Sequence, residues 1–95
     1  MTGGPVDLRN VTANKHVGAI MWLGYPGEMG AYAIGDALFG LTNRFGKLTQ
    51  TWYDQSFADA VNLTDMGMRP NASTGNLGRG HRFYTGTPTF KFGFG

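Results

Sequence analysis

Six carboxylates and two histidines are the side chains of this 95-residue chain that could do acid, base or metal chemistry. There is no cysteine, which removes disulfide frameworks, zinc knuckles, iron–sulfur sites and thiol nucleophiles together. Two carboxylates standing roughly 5 to 10 Å apart can cleave a glycosidic bond, and five aspartates with Glu28 supply the residue types. Asp65, in Leu63-Thr-Asp-Met-Gly-Met-Arg-Pro70, is the most suggestive because methionines and an arginine surround it. A pair with Arg69 that fixes a loop is the stronger reading of that segment. Glu28, the only glutamate, sits in the first turn of a predicted helix, where a negative charge opposes the positive end of the helix dipole. His16 and His81 are too few for a metal centre without cysteine or a carboxylate at helical spacing, so neither a metal nor another cofactor is expected.

Gly24, Gly27 and Gly30 bracket a junction where a phosphate loop could sit. Their spacing matches neither a dinucleotide fingerprint nor a P-loop, and close backbone packing explains them better. Gly78-Arg-Gly-His-Arg-Phe-Tyr84 interleaves arginines with aromatics, but a net charge of +2 gives no polyanion field, so no nucleic-acid partner is expected. Asn10-Val-Thr12, Asn62-Leu-Thr64 and Asn71-Ala-Ser73 are three N-glycosylation sequons among six asparagines. Chance would supply about one, which favours a secreted protein if the source is a eukaryote.

The elements that must position these residues follow from pattern. Residues 2–5 read as a turn and residues 6–8 as at most a short strand. Val17-Gly-Ala-Ile-Met-Trp-Leu23 is apolar on both faces and bounded by breakers, as a buried parallel strand is. Ala33, Ile34, Ala37, Leu38 and Leu41 share one face of a helix predicted over residues 28–41, with Gly40 near its end. A turn at residues 43–46 leads to an alternating strand over residues 48–53. This is a strand-helix-strand unit of α/β class. From residue 54 onward no helical period is visible, and the chain ends in the alternation Phe90-Lys-Phe-Gly-Phe-Gly95, a loop-rich tail that needs a neighbouring surface.

Ninety-five residues suit one small domain and exclude a large multilayer enzyme. Sixteen glycines and four prolines mark a turn-rich chain, while 41% hydrophobic and 14% aromatic residues are too many for a disordered polymer. The longest apolar run falls far short of the roughly 18 residues needed to span a bilayer, so no membrane partner is expected. Residues 1–5 have neither a basic nor an apolar leader region, so no signal peptide is read here.

In order along the chain, Met1-Thr-Gly-Gly-Pro-Val-Asp7, Ala19-Ile-Met-Trp-Leu-Gly-Tyr-Pro-Gly-Glu28, Ala33 to Gly40, Gly46-Lys-Leu48, Thr51-Trp-Tyr53, Leu63-Thr-Asp-Met66, Met68-Arg-Pro70, Arg82-Phe-Tyr84 and Phe92-Gly-Phe-Gly95 resemble the C-terminal part of glycoside hydrolase family 3, in its plant and fungal β-xylosidase-like branch. The resemblance covers essentially the whole chain. It implies that residues 1–53 are the last strands and helix of the family's α/β sandwich domain. Residues 54–95 would then extend toward a fibronectin type III-like domain absent from this chain.

The same resemblance implies that the aspartate nucleophile and the glutamate acid/base lie upstream, so neither Glu28 nor Asp65 is catalytic. The chain would be inactive alone, needing the upstream domains to complete its sheet, while the full-length secreted enzyme would act on β-xylosides in xylan breakdown. Tyr25, Glu28 and Arg79 are the candidates for the rim of its active site. The chain departs from the family pattern at Asn43-Arg-Phe-Gly46, where Asn-Pro-Gly-Gly is usual, and at Met29, Ala31, Thr49 and His81. Losing a turn proline or glycine weakens the helix-to-strand connection by about 0.5–1 kcal/mol per site. The competing expectation is a non-catalytic module that binds carbohydrate or protein through Trp22, Tyr25, Trp52 and Tyr84. Exposed rings stack on sugars, whereas rings borne on strands fill cores.

Overall fold

The computed structural model describes residues 3–95, so Met1 and Thr2, and with them the start of the expected turn over residues 2–5, lie outside the described residues. Three helices form among the described residues: α1 (Arg9–Thr12), α2 (Gly30–Leu38) and α3 (Gln55–Ala60). None is long and apolar enough to cross a membrane.

Helix α2 is the helix the apolar spacing predicts, shorter at both ends. Pro26 packs on its first turn so closely that a Cβ on the buried Gly30 would lie 2.4 Å from Pro26 Cβ. Met29 is the N-cap and Glu28 therefore stands one residue outside the helix rather than in its first turn. At the other end Gly40 takes φ 75°, Leu41 N–H donates to Asp36 O at 2.8 Å and Gly40 N–H to Ala37 O at 3.3 Å. This left-handed cap satisfies the last carbonyls and stops the helix at Leu38. The apolar face is uncovered: Leu38 is 69% and Leu41 78% exposed.

The two expected strands do not form ladders. Residues 18–24 make no backbone hydrogen bond with another segment among the described residues. A strand exists through backbone bonds to its neighbours, which an apolar pattern does not by itself supply. Residues 48–53 do find a partner, but only at points. Trp52 and Phe90 exchange N–H···O bonds of 2.8 and 3.3 Å as an isolated antiparallel bridge, and Leu48 bonds Phe94 O and Gly93 N–H at 2.9 and 2.8 Å. The neighbouring surface that the tail requires is thus supplied in part by residues 48–52. The expected strand at residues 6–8 is absent too, and that segment instead leads into α1.

Consecutive residues of an extended segment face opposite ways, and two aromatic clusters form accordingly. Trp52, 3% exposed, meets the edge of Trp22 at 6.0 Å between ring centroids. Tyr53 points to Phe57 at 4.6 Å and Tyr84 at 4.8 Å, and Phe57 and Tyr84 close the triangle at 5.0 Å. The short helix α3, which the sequence pattern does not reveal, exists to carry Phe57 into that triangle. Its first amide, Gln55 N–H, donates to Asp7 Oδ2 at 3.1 Å, so a carboxylate from 48 residues upstream serves the helix start. Asp7 is itself clamped by Arg9 through Nε and Nη2 at 2.9 and 2.6 Å.

These contacts do not enclose a core. Trp52 and Val61 are the buried apolar side chains among the described residues. The chain exposes 7593 Å², against about 5,400 Å² for a compact monomer of this mass. Its radius of gyration is 16.4 Å, where a compact chain of this length has about 12 Å.

Trp52→Ala is expected to cost about 3–5 kcal/mol, read as a lowered denaturation midpoint of the full-length protein that contains this chain. A second prediction concerns Asp7, whose carboxyl is lowered to about 2, first by the Arg9 side chain and then by the Arg9 amide. A depressed carboxylate stabilises the fold above its unfolded pKa of about 3.9 and loses that contribution as pH falls toward 2. The melting-temperature difference between wild type and Asp7→Asn should therefore be largest above pH 5 and shrink between pH 4 and 2.

Candidate functional site

Two open clefts flank the segment that carries Trp52 and Tyr53. The larger, about 480 Å³, is lined by apolar side chains including Trp22, Phe45, Leu48, Trp52, Phe90 and Phe94, with Lys47 as its ionisable member. Lys47 Nζ donates to Gly95 O, leaving the cleft without an acid or base facing a substrate. The Trp52 Nε1 hydrogen is buried with no acceptor among the described residues, as is Gln50 Nε2.

The smaller cleft, about 370 Å³, is lined by Pro5, Val6, Asp7, Tyr53, Asp54, Gln55, Phe57 and Ala58. It brings two carboxylates into one depression. Both are held ionised: Asp7 by Arg9, and Asp54, lowered first by the Ser56 hydroxyl. A glycosidase needs one carboxylic acid that keeps its proton near neutral pH, and neither residue can supply it.

Asp65 is the centre of a third arrangement, and its partners are not those the sequence suggests. No bond joins it to Arg69 among the described residues. Asp65 Oδ1 accepts Gly67 N–H at 2.8 Å, and Oδ2 accepts Asn76 Nδ2 at 2.9 Å and Thr74 Oγ1 at 3.3 Å. These bonds, that from Gly67 first, lower its pKa. Asn76, 6% exposed, also donates to Gly67 O at 2.9 Å and accepts Gly78 N–H at 2.7 Å. Asn71 and Asn76 exchange backbone bonds of 2.8 and 3.1 Å. Gly78 adopts φ 87° where a Cβ would lie 2.6 Å from Phe83 Cβ, so the loop turns there on a residue that only glycine can fill.

The rim candidates are dispersed in role. Tyr25 is 90% exposed, its hydroxyl end crowding Gly3, and Glu28 lies exposed on the same loop ahead of α2. Arg79 is committed elsewhere: its Nη2 donates to Asn62 O at 2.8 Å and to Asp65 O, and its N–H to Met68 O at 3.0 Å. Arg9 with Asp7 is the one ion pair among the described residues, so Glu28 and Arg79 are not joined. Of the aromatics that a sugar-binding module would display, Trp52 is buried and Trp22, Trp52 and Tyr84 pack against other rings.

Sequence reasoning passes over Asn76. Its only signal is an asparagine two residues before a glycine, a pattern that side-chain-to-backbone turns share with ordinary loops. Asn76→Ala should remove the partner of the Gly78 amide and of the Gly67 carbonyl and one of the bonds to Asp65, at a local cost of about 2 kcal/mol, near thirtyfold in an equilibrium constant. Hydrogen exchange of the residue 65–79 amides in the full-length protein should accelerate by about that factor.

Comparison with known proteins gives the arrangement its context. The glycosyl hydrolase family 3 C-terminal domain matches residues 1–95. A β-xylosidase/α-L-arabinofuranosidase 2 of Medicago sativa subsp. varia is 48% identical over the whole chain. An exo-1,4-β-xylosidase xlnD of Emericella nidulans is 40% identical, again over the whole chain. Among solved structures, a family 3 exo-β-xylosidase in complex with a xylobiose aziridine probe superposes on 100% of the chain with a TM-score of 0.84 and 40% identity. The chain spans 12% of the length of each of these proteins. A family model matched from first residue to last, with relatives and a solved fold in agreement over the same span, places this chain in glycosyl hydrolase family 3, within the family's C-terminal domain.

Proposed function

We propose that this chain is the part of a β-xylosidase-like, retaining glycoside hydrolase that braces its C-terminal domain, and that the full-length protein removes terminal xylose from β-xylosides in xylan breakdown outside the cell. The observation that carries this reading is the whole-chain similarity to plant and fungal β-xylosidases. The chemistry of the chain agrees with it. Asp7, Asp54 and Asp65 are all held ionised by neighbouring donors, which suits structural anchors and not a proton donor.

On this reading residues 1–53 belong to an α/β sandwich whose remaining strands pair with residues 17–23 and cover the exposed face of α2. Residues 54–95 extend from it toward a further domain. Tyr25 and Glu28, exposed on one loop, are kept as candidates for the active-site rim. Arg79 acts there through the backbone of residues 62–65 that it holds.

The purified full-length protein should hydrolyse an aryl β-xyloside with retention of configuration, and the isolated chain should show no turnover above the uncatalysed rate. Turnover by the isolated chain that disappears in Glu28→Gln or Asp65→Asn would overturn the proposal.

A further inference from the structure

The three sequons are equivalent in sequence but not in structure. Asn62 Oδ1 accepts Thr64 N–H at 3.0 Å and Thr64 Oγ1 at 2.9 Å. Asn71 repeats the arrangement, its Oδ1 accepting Ser73 N–H at 3.0 Å and Ser73 Oγ at 2.7 Å. Each is a local turn in which the hydroxyl two residues on is bonded to the carboxamide. In both, Nδ2 points to no acceptor among the described residues, and both residues are exposed. Asn10 differs. It lies inside α1, and the Thr12 hydroxyl bonds back to Leu8 O and Arg9 O at 3.1 and 3.0 Å, away from the Asn10 carboxamide.

We propose that Asn62 and Asn71 are acceptors of N-linked oligosaccharide and that Asn10 is not. The reacting atom is the carboxamide nitrogen. Nδ2 gives up one proton to a base of the transferase and forms a bond to the anomeric carbon of an oligosaccharide, whose bond to a polyprenyl diphosphate breaks with the electron pair leaving on the diphosphate. The product is still an amide, so Oδ1 keeps both of its accepted hydrogen bonds and the turn survives. Because the bonds span only two residues, the turn is available to the chain before the tertiary structure closes. Asn76 shows the contrast: its Nδ2 is spent on Asp65 and Gly67, and substitution there would break the loop. At Asn10 the turn begun by Asp7, which accepts Arg9 N–H at 2.9 Å, sets a helical path and turns the Thr12 hydroxyl away.

The test expresses the full-length protein behind a supplied secretory leader in a eukaryotic host, so that the modification is measured whatever route the native protein takes. Secreted protein is treated with peptide-N-glycosidase in heavy-oxygen water and mapped by mass spectrometry. Asn62 and Asn71 should each convert to labelled aspartate at more than half occupancy, and Asn10 at less than a tenth. Asn62→Gln and Asn71→Gln should each remove one glycan from the intact mass, Thr64→Ala and Ser73→Ala should do the same, and Asn10→Gln should remove none. Unlabelled Asn62 or Asn71 in the wild-type protein, or labelled Asn10, would overturn the assignment. Loss of β-xylosidase activity would bear on the proposed function alone.

Discussion

One antiparallel contact holds the ends of this chain's long excursion together. Trp52 and Phe90 exchange two backbone bonds, and the Trp52 ring packs on Trp22. Through that pairing Tyr53 is turned to the opposite side, where it gathers Phe57 and Tyr84. Together with the Leu48 bonds to Gly93 and Phe94 it gives residues 54–95 a surface to return to, and closing a loop of that length is repaid only by contacts made on arrival. The Asp7–Arg9 clamp at the start of α3 and the Asp65–Asn76 network within the excursion are secondary braces on the same return.

The carboxylates illustrate how a constraint on charge separates structure from chemistry. Three aspartates are each surrounded by donors that favour the ionised form. A group so held is a good hydrogen-bond acceptor and a poor acid. The chain therefore uses its negative charge to organise backbone amides at Gly67, Arg9 and Gln55, which have no other strong acceptor.

Much of this was legible beforehand. The family resemblance and a helix within residues 28–41 with Gly40 near its end follow from short-range pattern, and the comparisons and the observed Gly30–Leu38 helix agree with them, though the helix is shorter at both ends. The strand at residues 17–23 was legible as hydrophobicity only. Among the described residues it forms no ladder, because hydrophobicity marks burial and does not choose a pairing partner. Helix α3 escaped notice because six residues carry too little periodicity, although Asp54 before Gln-Ser-Phe is an ordinary helix start. Apart from Gly67, the side-chain partners of Asp65 and Arg79 escaped for another reason: they lie 9 to 17 residues away, across a loop whose path is set by Gly78.

By itself the sequence determined which residues could turn, which could cap and which could be modified, because those properties are exchanged between residues two to four apart. It also determined the family, since identity along the whole chain needs no geometry. Only the tertiary structure decided which aromatic meets which, that Asp7 serves a helix 48 residues on, that Arg79 braces carbonyls and not Glu28, and that in two sequons of three the hydroxyl bonds to the asparagine carboxamide. Those outcomes depend on where distant segments come to rest, and burial, ring packing and long-range hydrogen bonding set that jointly.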